Sequence, residues 1–187
     1  MVNLSSREIN PELLEACRRG DREAFRTLYD QYKDKVYSMV LCYFHGDASA
    51  ASDTAQQVFL KVFTSIAQFR GEAEFSTWLY RIVVNACTDA IRHHKGKAIW
   101  SDREFIESIA APGCQEMDYQ REQTAVTVRI AVAALPPKFR IAVLLRHFED
   151  LTYEQIAQAL HCSMGTVASR LSRGHKMLAE RLKGLQG

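Results

Sequence analysis

Trp78, Arg81, Asn85, Thr88 and Arg92 recur at spacings of three and four residues, so on a helix they form one continuous strip. An indole, two guanidinium groups, an amide and a hydroxyl suit unpaired nucleic acid. Cations follow phosphates, the aromatic ring stacks on a base, and the amide reads a base edge. Just before the strip stands a short polar loop with aromatic ends, Phe69-Arg70-Gly71-Glu72-Ala73-Glu74-Phe75. The plainer alternative is a solvated helix face with Trp78 in the core, and for Trp78 alone the core reading comes first.

A second constellation lies near the C-terminus. Thr152 is placed to cap a helix, with Gln155 three residues on to complete a capping box, and Tyr153, Ile156, Ala157 and Leu160 form its expected apolar face. After His161 and Cys162, Ser163 caps a further helix whose inward residues are Val167 and Leu171, then Leu178 and Leu182. Two helices joined this tightly, with a small Ala157 at their crossing, predict a helix-turn-helix. Gly165, Ser169, Ser172, Arg173 and Lys176 fall on the side opposite Val167 and Leu171. That face is small, hydrogen-bonding and basic, which fits entry into the DNA major groove.

The third surface is quieter. Around Asp53 to Ile66, the expected core residues are Ala55, Val58, Phe59, Val62, Phe63 and Ile66; opposite them lie Asp53, Gln56, Gln57, Leu60 and Thr64. A leucine set in a polar face points to a protein partner, although single exposed leucines are also common. No glycine-rich phosphate loop follows a strand, and no nucleophile, base and orienting acid recur together, so the residues do not describe an enzyme. Cys42 with His45, and His161 with Cys162, fall short of the three or four ligands of a zinc site, so neither metal nor cofactor is expected.

These side chains must be carried by helices, because helical periodicity dominates and no alternating β-branched run is evident. Helices are predicted from Pro11 to Arg19, Arg22 to Phe44, Ala50 to Phe69 and Ser76 to His94, with a turn at Gly46, Asp47 and Ser49. Residues Lys95 to Tyr119 read as a linker, containing Gly96, Ala110-Ala111-Pro112-Gly113 and the acidic Asp102, Glu104, Glu107, Glu116 and Asp118. Helix resumes from Arg121 to Ala134, breaks at Leu135-Pro136-Pro137, and continues as three closely spaced helices. The expected fold is all-α: two helical domains, residues 1–95 and 120–187, joined by a flexible acidic linker at 96–119.

Composition agrees with a globular chain of 187 residues, 47% of them hydrophobic and 25% charged. The net charge of +2 is too small to imply nucleic-acid binding, but its distribution is uneven. Arg170, Arg173, Lys176, Arg181 and Lys183 face only Glu180, downstream of the acidic linker. Apolar runs such as Ile82 to Ala86 are far shorter than the roughly 20 residues of a membrane helix, and no leader pattern opens the chain. A cytoplasmic protein without membrane insertion is expected. The five scattered cysteines, Cys17, Cys42, Cys87, Cys114 and Cys162, read as reduced thiols, mostly buried.

Four blocks together resemble a known family. They are Asp53-Thr54-Ala55-Gln56-Gln57-Val58-Phe59-Leu60-Lys61-Val62-Phe63, the run from Phe69 to Asn85, Leu135-Pro136-Pro137-Lys138-Phe139-Arg140, and Leu151 to Ala157 with Gly165 to Leu171. In order and spacing they are similar to the extracytoplasmic-function (ECF) sigma factors of the sigma-70 family, over almost the whole chain. The resemblance implies a sigma2-like helical bundle and a sigma4-like helix-turn-helix domain. It implies that Asp53, Gln56, Gln57 and Leu60 dock on the β′ clamp helices of core RNA polymerase, with the β flap as a further contact. Phe69, Arg70, Phe75, Ser76, Trp78, Arg81, Asn85, Thr88 and Arg92 would capture the melted minus-ten element, holding a flipped base in a pocket. Gly165, Thr166, Ser169, Arg170, Ser172, Arg173 and Lys176 would read the minus-thirty-five element as duplex.

By the same resemblance the linker would lie along the RNA exit region, an anti-sigma factor would be a partner, and the chemistry would belong to the polymerase. Two departures stand out: Ala168 where the family usually has Lys or Arg, and His161 where the helix-turn-helix turn often has glycine. Both bear on promoter sequence rather than on fold. The competing reading is a helix-turn-helix regulator that never recruits polymerase, which leaves the Asp53 face and the Asn85 strip unexplained.

Overall fold

The structure, a computed structural model, describes residues 9–93 and 127–185. The described residues contain helices, turns and no strand. The linker, and the start of the helix expected from Arg121, lie outside them, as does Cys114.

Helix α1, Pro11–Arg18, begins where the Asn10 side chain accepts the Glu12 amide at 2.8 Å, with Pro11 in the first turn. It stops at Gly20, whose φ of +84° few other residues adopt. Asp21 then caps α2, Arg22–Tyr43, by accepting the Glu23 and Ala24 amides at 2.9 and 3.1 Å. The next turn falls earlier than expected. His45 and Gly46 take the left-handed conformation and Asp47 caps α3, Ala48–Ser65, so Ser49 is helical. Helix α3 also ends sooner, giving way to a 3-10 turn at Ile66–Gln68. Thr64 and Ser65 both return their hydroxyls to carbonyls one turn back, a competition with regular helix that the apolar pattern does not reveal. Helix α4, Phe75–His93, completes the first domain.

The second domain comprises a helical segment at 127–133, α5 (Pro137–His147), α6 (Tyr153–Ala159) and α7 (Met164–Leu185). The capping box is present: Gln155 donates its amide to Thr152 Oγ1 at 3.2 Å, and the Thr152 amide donates to Gln155 Oε1 at 2.7 Å. The first-domain core contains Leu28, Val36, Val40, Val58, Val62, Leu79 and Val83. The second contains Leu135, Leu144, Leu145, Leu151, Ile156, Val167 and Leu171. Each fully buried leucine contributes about 1.5–3 kcal/mol relative to exposure. These residues fix which helix faces remain outside.

Two expected core residues are not core. Phe63 is 47% exposed and packs edge-on against Phe25, with ring centroids 4.9 Å apart, at the rim of the α2–α3 seam. Tyr153 is 41% exposed, and its ring carries the Arg146 guanidinium at 5.7 Å instead of entering the core. Ala86 and Ala90, expected in the α4 stripe, are only half-buried. Among the described cysteines, Cys17 and Cys87 are buried and Cys42 and Cys162 half-buried, all as free thiols. Burial raises the Cys42 and Cys87 thiols to about 11 and about 12, which keeps them protonated and inert.

The two domains pack on each other. Beside its inward stripe, α4 carries a second row, Tyr80, Val84 and Ile91. Val84 and Ile91, with Tyr43, line a seam against Pro137, Ile141 and Leu160 of the second domain. Polar contacts cross the same boundary. Tyr80 Oη donates to Glu149, and Gln155 Nε2 donates to Glu74 Oε2 at 2.6 Å. Arg140, 2% exposed, donates to the Tyr43 carbonyl.

Candidate nucleic-acid interface

Helix α4 places the strip at a boundary between core and solvent. Asn85 and Arg92 are exposed, whereas Trp78, Arg81 and Thr88 are half-buried. Thr88 returns its hydroxyl to the Val84 carbonyl at 2.8 Å, and Arg92 pairs with Asp89 at 3.2 Å, an exposed pair that restrains the side chain weakly. Of the two neutral polar side chains of the strip between the guanidinium groups, Asn85 is therefore the exposed one and Thr88 the half-buried one.

The loop before α4 is held by aromatic packing. Phe69, Phe75 and Trp78 form a trio with centroids 5.2 to 6.0 Å apart, and Tyr32 of α2 meets Phe75 at 5.5 Å. Phe69, Phe75 and Ser76 are buried and support the loop, and of the three only Phe69 also reaches the wall of the cleft beside it. Trp78 belongs to both worlds, packed on Phe69 and Phe75 yet half-buried. Arg70 is exposed at the loop tip, beside Gly71 with φ +72° and 4.0 Å from Glu72. A cleft of about 370 Å³ opens between the loop and α4, lined by Phe69, Arg70, Trp78 and Arg81 on one side and by Gln158 and His161 on the other. Thr77, whose buried hydroxyl has no hydrogen-bond partner, also borders it. An indole and two guanidinium groups around a cleft can stack a base and hold its phosphates.

On α3, Asp53, Gln56, Gln57 and Leu60 are all exposed on one face, and Leu60 is 64% exposed. Most of that side chain is left in water by the fold that holds it.

Helix α7 starts cleanly. Ser163 Oγ accepts the Thr166 amide at 3.2 Å and lies 3.0 Å from the Thr166 hydroxyl. A Cβ at Gly165 would meet only Ser163 Oγ, at 3.8 Å, so the helix start is open to close approach. Ser169, Ser172, Arg173 and Lys176 are exposed, whereas Thr166 and Arg170 are half-buried, the latter at the domain seam. Ala168 is exposed as well. His161 holds the turn with φ +48°, so the histidine takes the left-handed conformation that glycine adopts more readily.

The fold thus brings the loop and the α4 strip together, keeps the α3 face apart from them, and sets the α6–α7 turn against the cleft. Sequence reading missed the contribution of Gln158 and His161 to that cleft, and the roles of Tyr80, Arg140 and Glu149 between domains. The one signal available was the second apolar row on α4, because Tyr80, Val84 and Ile91 also recur at helical spacing. Among the described residues no group of three or more metal-ligating side chains forms, and no helix is long and apolar enough to cross a membrane.

Comparison with known proteins covers both domains. Residues 28–97 match the Sigma-70 region 2 family and residues 127–178 match the Sigma-70, region 4 family. The chain is 34% identical to the RNA polymerase sigma-H factor of Pseudomonas aeruginosa, over 96% of this chain and 97% of that one. It is 32% identical to the ECF RNA polymerase sigma factor SigW of Bacillus subtilis, over 92% and 96%. With the ECF RNA polymerase sigma-E factor of Escherichia coli it shares 31%, over 92% and 94%. Its fold resembles the sigma factor RpoE solved with the anti-sigma factor NepR from Bartonella quintana, with a TM-score of 0.67, 21% identity, and coverage of 85% and 96%. It also resembles CnrH solved with the cytosolic domain of CnrY, with a TM-score of 0.66, 18% identity, and coverage of 92% and 96%. Two helical domains matched in the expected order, and relatives above 30% identity along nearly their whole length, leave one assignment: the chain belongs to the sigma-70 family of RNA polymerase sigma factors, in its ECF subgroup.

Proposed function

We propose that this sigma factor divides promoter recognition among the three surfaces described above. Asp53, Gln56, Gln57 and Leu60 grip the β′ clamp helices of core polymerase. Trp78, Arg81, Asn85, Thr88, Arg92 and Arg70 capture the unpaired minus-ten strand, while Phe69, Phe75 and Ser76 shape the loop that receives it. Gly165, Thr166, Ser169, Arg170, Ser172, Arg173 and Lys176 read the minus-thirty-five duplex from α7. The observation carrying this reading is the exposed Asn85 amide set between Arg81 and Arg92, beside a cleft walled by Trp78.

The domain limits that suit this division are residues 1–95, an acidic linker at 96–119, and 120–187. The chain supplies positioning and strand capture and no catalytic step; phosphoryl transfer stays with the polymerase, and the cytoplasm is where both operate. An anti-sigma factor is the expected inhibitor, because the similar sigma factor RpoE was solved with the anti-sigma factor NepR. The test is transcription in vitro by core enzyme plus this protein, with the RNA 5′ ends sequenced. Starts clustered downstream of a shared pair of elements support the reading, and random or absent starts overturn it.

A further inference from the structure

His147 and His175 are two imidazoles that the promoter-reading assignment leaves unused. His147 is the last residue of α5, and His175 lies in the middle of α7, 28 residues further on. The helices approach closely just before this point. A Cβ on Gly174 would stand only 3.0 Å from Val143 Cγ2, and Val143 lies one turn before His147. The next residue of α7 is thereby carried to the end of α5. There the two Nε2 atoms stand 2.8 Å apart, the ring centroids 5.0 Å apart, and both residues are exposed.

Two imidazole nitrogens come this close only with something positive shared between them, since their lone pairs otherwise repel. A hydrogen-bonding proton is one candidate and a metal ion the other. Nitrogens each about 2.0–2.1 Å from one ion stand about 2.9 Å apart at a right angle and about 3.3 Å apart at the tetrahedral angle. The observed spacing is nearest the right-angled pair, which belongs to tetragonal copper(II) or nickel(II) rather than to tetrahedral zinc. The rings meet almost end to end, so each must pivot to aim its lone pair at a shared ion. Being exposed, they pivot against water alone. The α5 dipole turns its negative end toward His147 and favours a cation there. Asp150 attracts positive charge at His147 and Arg146 repels it, but the Arg146 guanidinium is engaged with the Leu151 carbonyl at 2.9 Å and with the Tyr153 ring. Arg173 and Lys176, beside His175 in sequence, are exposed and screened by water.

The geometry points to a two-histidine site for a divalent transition-metal ion of the copper(II) or nickel(II) class, with His147 and His175 in adjacent positions through Nε2 and water in the others. Two protein ligands make an open, exchangeable site, unlike the closed four-ligand site of a structural zinc. Bound there, the ion ties the end of α5 to α7 and stabilises the folded second domain by mass action. Neither histidine belongs to a proposed reading face, so the inference stands apart from the promoter-reading assignment.

The test uses the full chain, stripped with EDTA and titrated at slightly alkaline pH with copper(II) sulfate or nickel(II) chloride. Isothermal titration and thermal unfolding read binding, and electron paramagnetic resonance of the copper(II) form counts nitrogen ligands. Wild type is expected to bind either ion through two equatorial nitrogens and to melt higher with it, but not with magnesium, which takes oxygen ligands. Even outer-shell partners of a bound metal are worth roughly 10–100-fold in affinity, so His147→Gln and His175→Gln should each weaken uptake by at least about tenfold and leave one nitrogen. His161→Asn, which suits the left-handed turn, is expected to bind as wild type does. No uptake by wild type makes the pair a shared-proton hydrogen bond and overturns the site. Uptake and nitrogen count unchanged in both glutamine variants, an adventitious ion only, overturn it as well. Circular dichroism checks that each variant is folded, and either glutamine variant decides alone if the other is not.

Discussion

Arg140, on α5 of the second domain, donates to the carbonyl of Tyr43, the last residue of α2 in the first. Helix α2 has no basic residue in its own last turn, so a cation from the other domain satisfies an orphan carbonyl at its negative end. The same guanidinium donates to the Leu135 carbonyl at 2.7 Å, where the chain breaks before Pro136. Burial lowers its pKa to about 10, which leaves it charged at neutral pH.

Arg140→Ala is expected to destabilise the protein by about 2–4 kcal/mol, because two buried carbonyls lose their donor. Arg140→Lys should cost roughly half as much, since an ammonium lacks the planar fork that reaches both oxygens. Urea unfolding followed by circular dichroism measures both. Equal stability of all three proteins would show that the buried guanidinium contributes nothing net.

Leu60→Asp and Asn85→Ala should separate two steps. The first is expected to weaken capture of core polymerase by about 2 kcal/mol, roughly thirtyfold, while leaving strand capture to the enzyme that does bind. The second should leave polymerase binding within twofold and slow open-complex formation. Binding titrations and permanganate footprinting distinguish them, and parallel losses in both assays would contradict the assignment of faces.

Arg173 and Lys176 are both exposed on α7 yet should behave differently. Arg173→Ala is expected to weaken upstream-element binding by roughly 1–3 kcal/mol and to relax preference at one base, if it reaches a base edge. Lys176→Ala should weaken all sequences alike and lower the salt dependence by about one counterion. Titrations on matched and scrambled duplexes at several salt concentrations provide the comparison.

Gly174 lets α7 lie close on α5. A Cβ there would stand 3.0 Å from Val143 Cγ2 and 3.7 Å from Phe139 Cβ, and Val143 is buried. Gly174→Ala gains about 1 kcal/mol of helix propensity, but the overpacking costs about 1–3. The expected net loss is about 1 kcal/mol, and adding Val143→Ala should remove the overpacking part in a double-mutant cycle. A stabilised single variant would show that α5 moves aside freely.

His147 and His175 place their Nε2 atoms 2.8 Å apart across α5 and α7. Burial, then the neighbouring His175 and Arg146, lower the His147 pKa below its ordinary 6.5, against the opposing pull of Asp150. A histidine that binds its proton less readily when folded stabilises fully above the unfolded value and loses that contribution as pH falls through it. Stability of the second domain should therefore decline below about pH 6.5, and His175→Gln should flatten the decline. The slope should be a small part of the roughly 1.4 kcal/mol per pH unit of a whole proton, because water screens exposed rings. Thermal unfolding between pH 5 and 8 reads it.

Much was legible in the residues themselves. The helix starts at Thr152 and Ser163 follow from the sequence, because a capping side chain and its amide lie within three residues of each other. The α4 strip and the α7 reading face were equally readable, since helical periodicity alone sets which residues share a side. The early end of α3 was not, because Thr64 and Ser65 bond their own backbone in a way no apolar pattern records. Nor was the exposure of Phe63 and Tyr153, whose rings sit at the rims of their helices, where depth depends on neighbouring elements rather than on angle around the axis. The second row on α4 marks the same limit. Tyr80 and Val84 could be recognised as apolar or aromatic from the sequence, but what lies against them is far along the chain, and only chain folding in three dimensions pairs Tyr80 with Glu149, Glu74 with Gln155 and Tyr43 with Arg140.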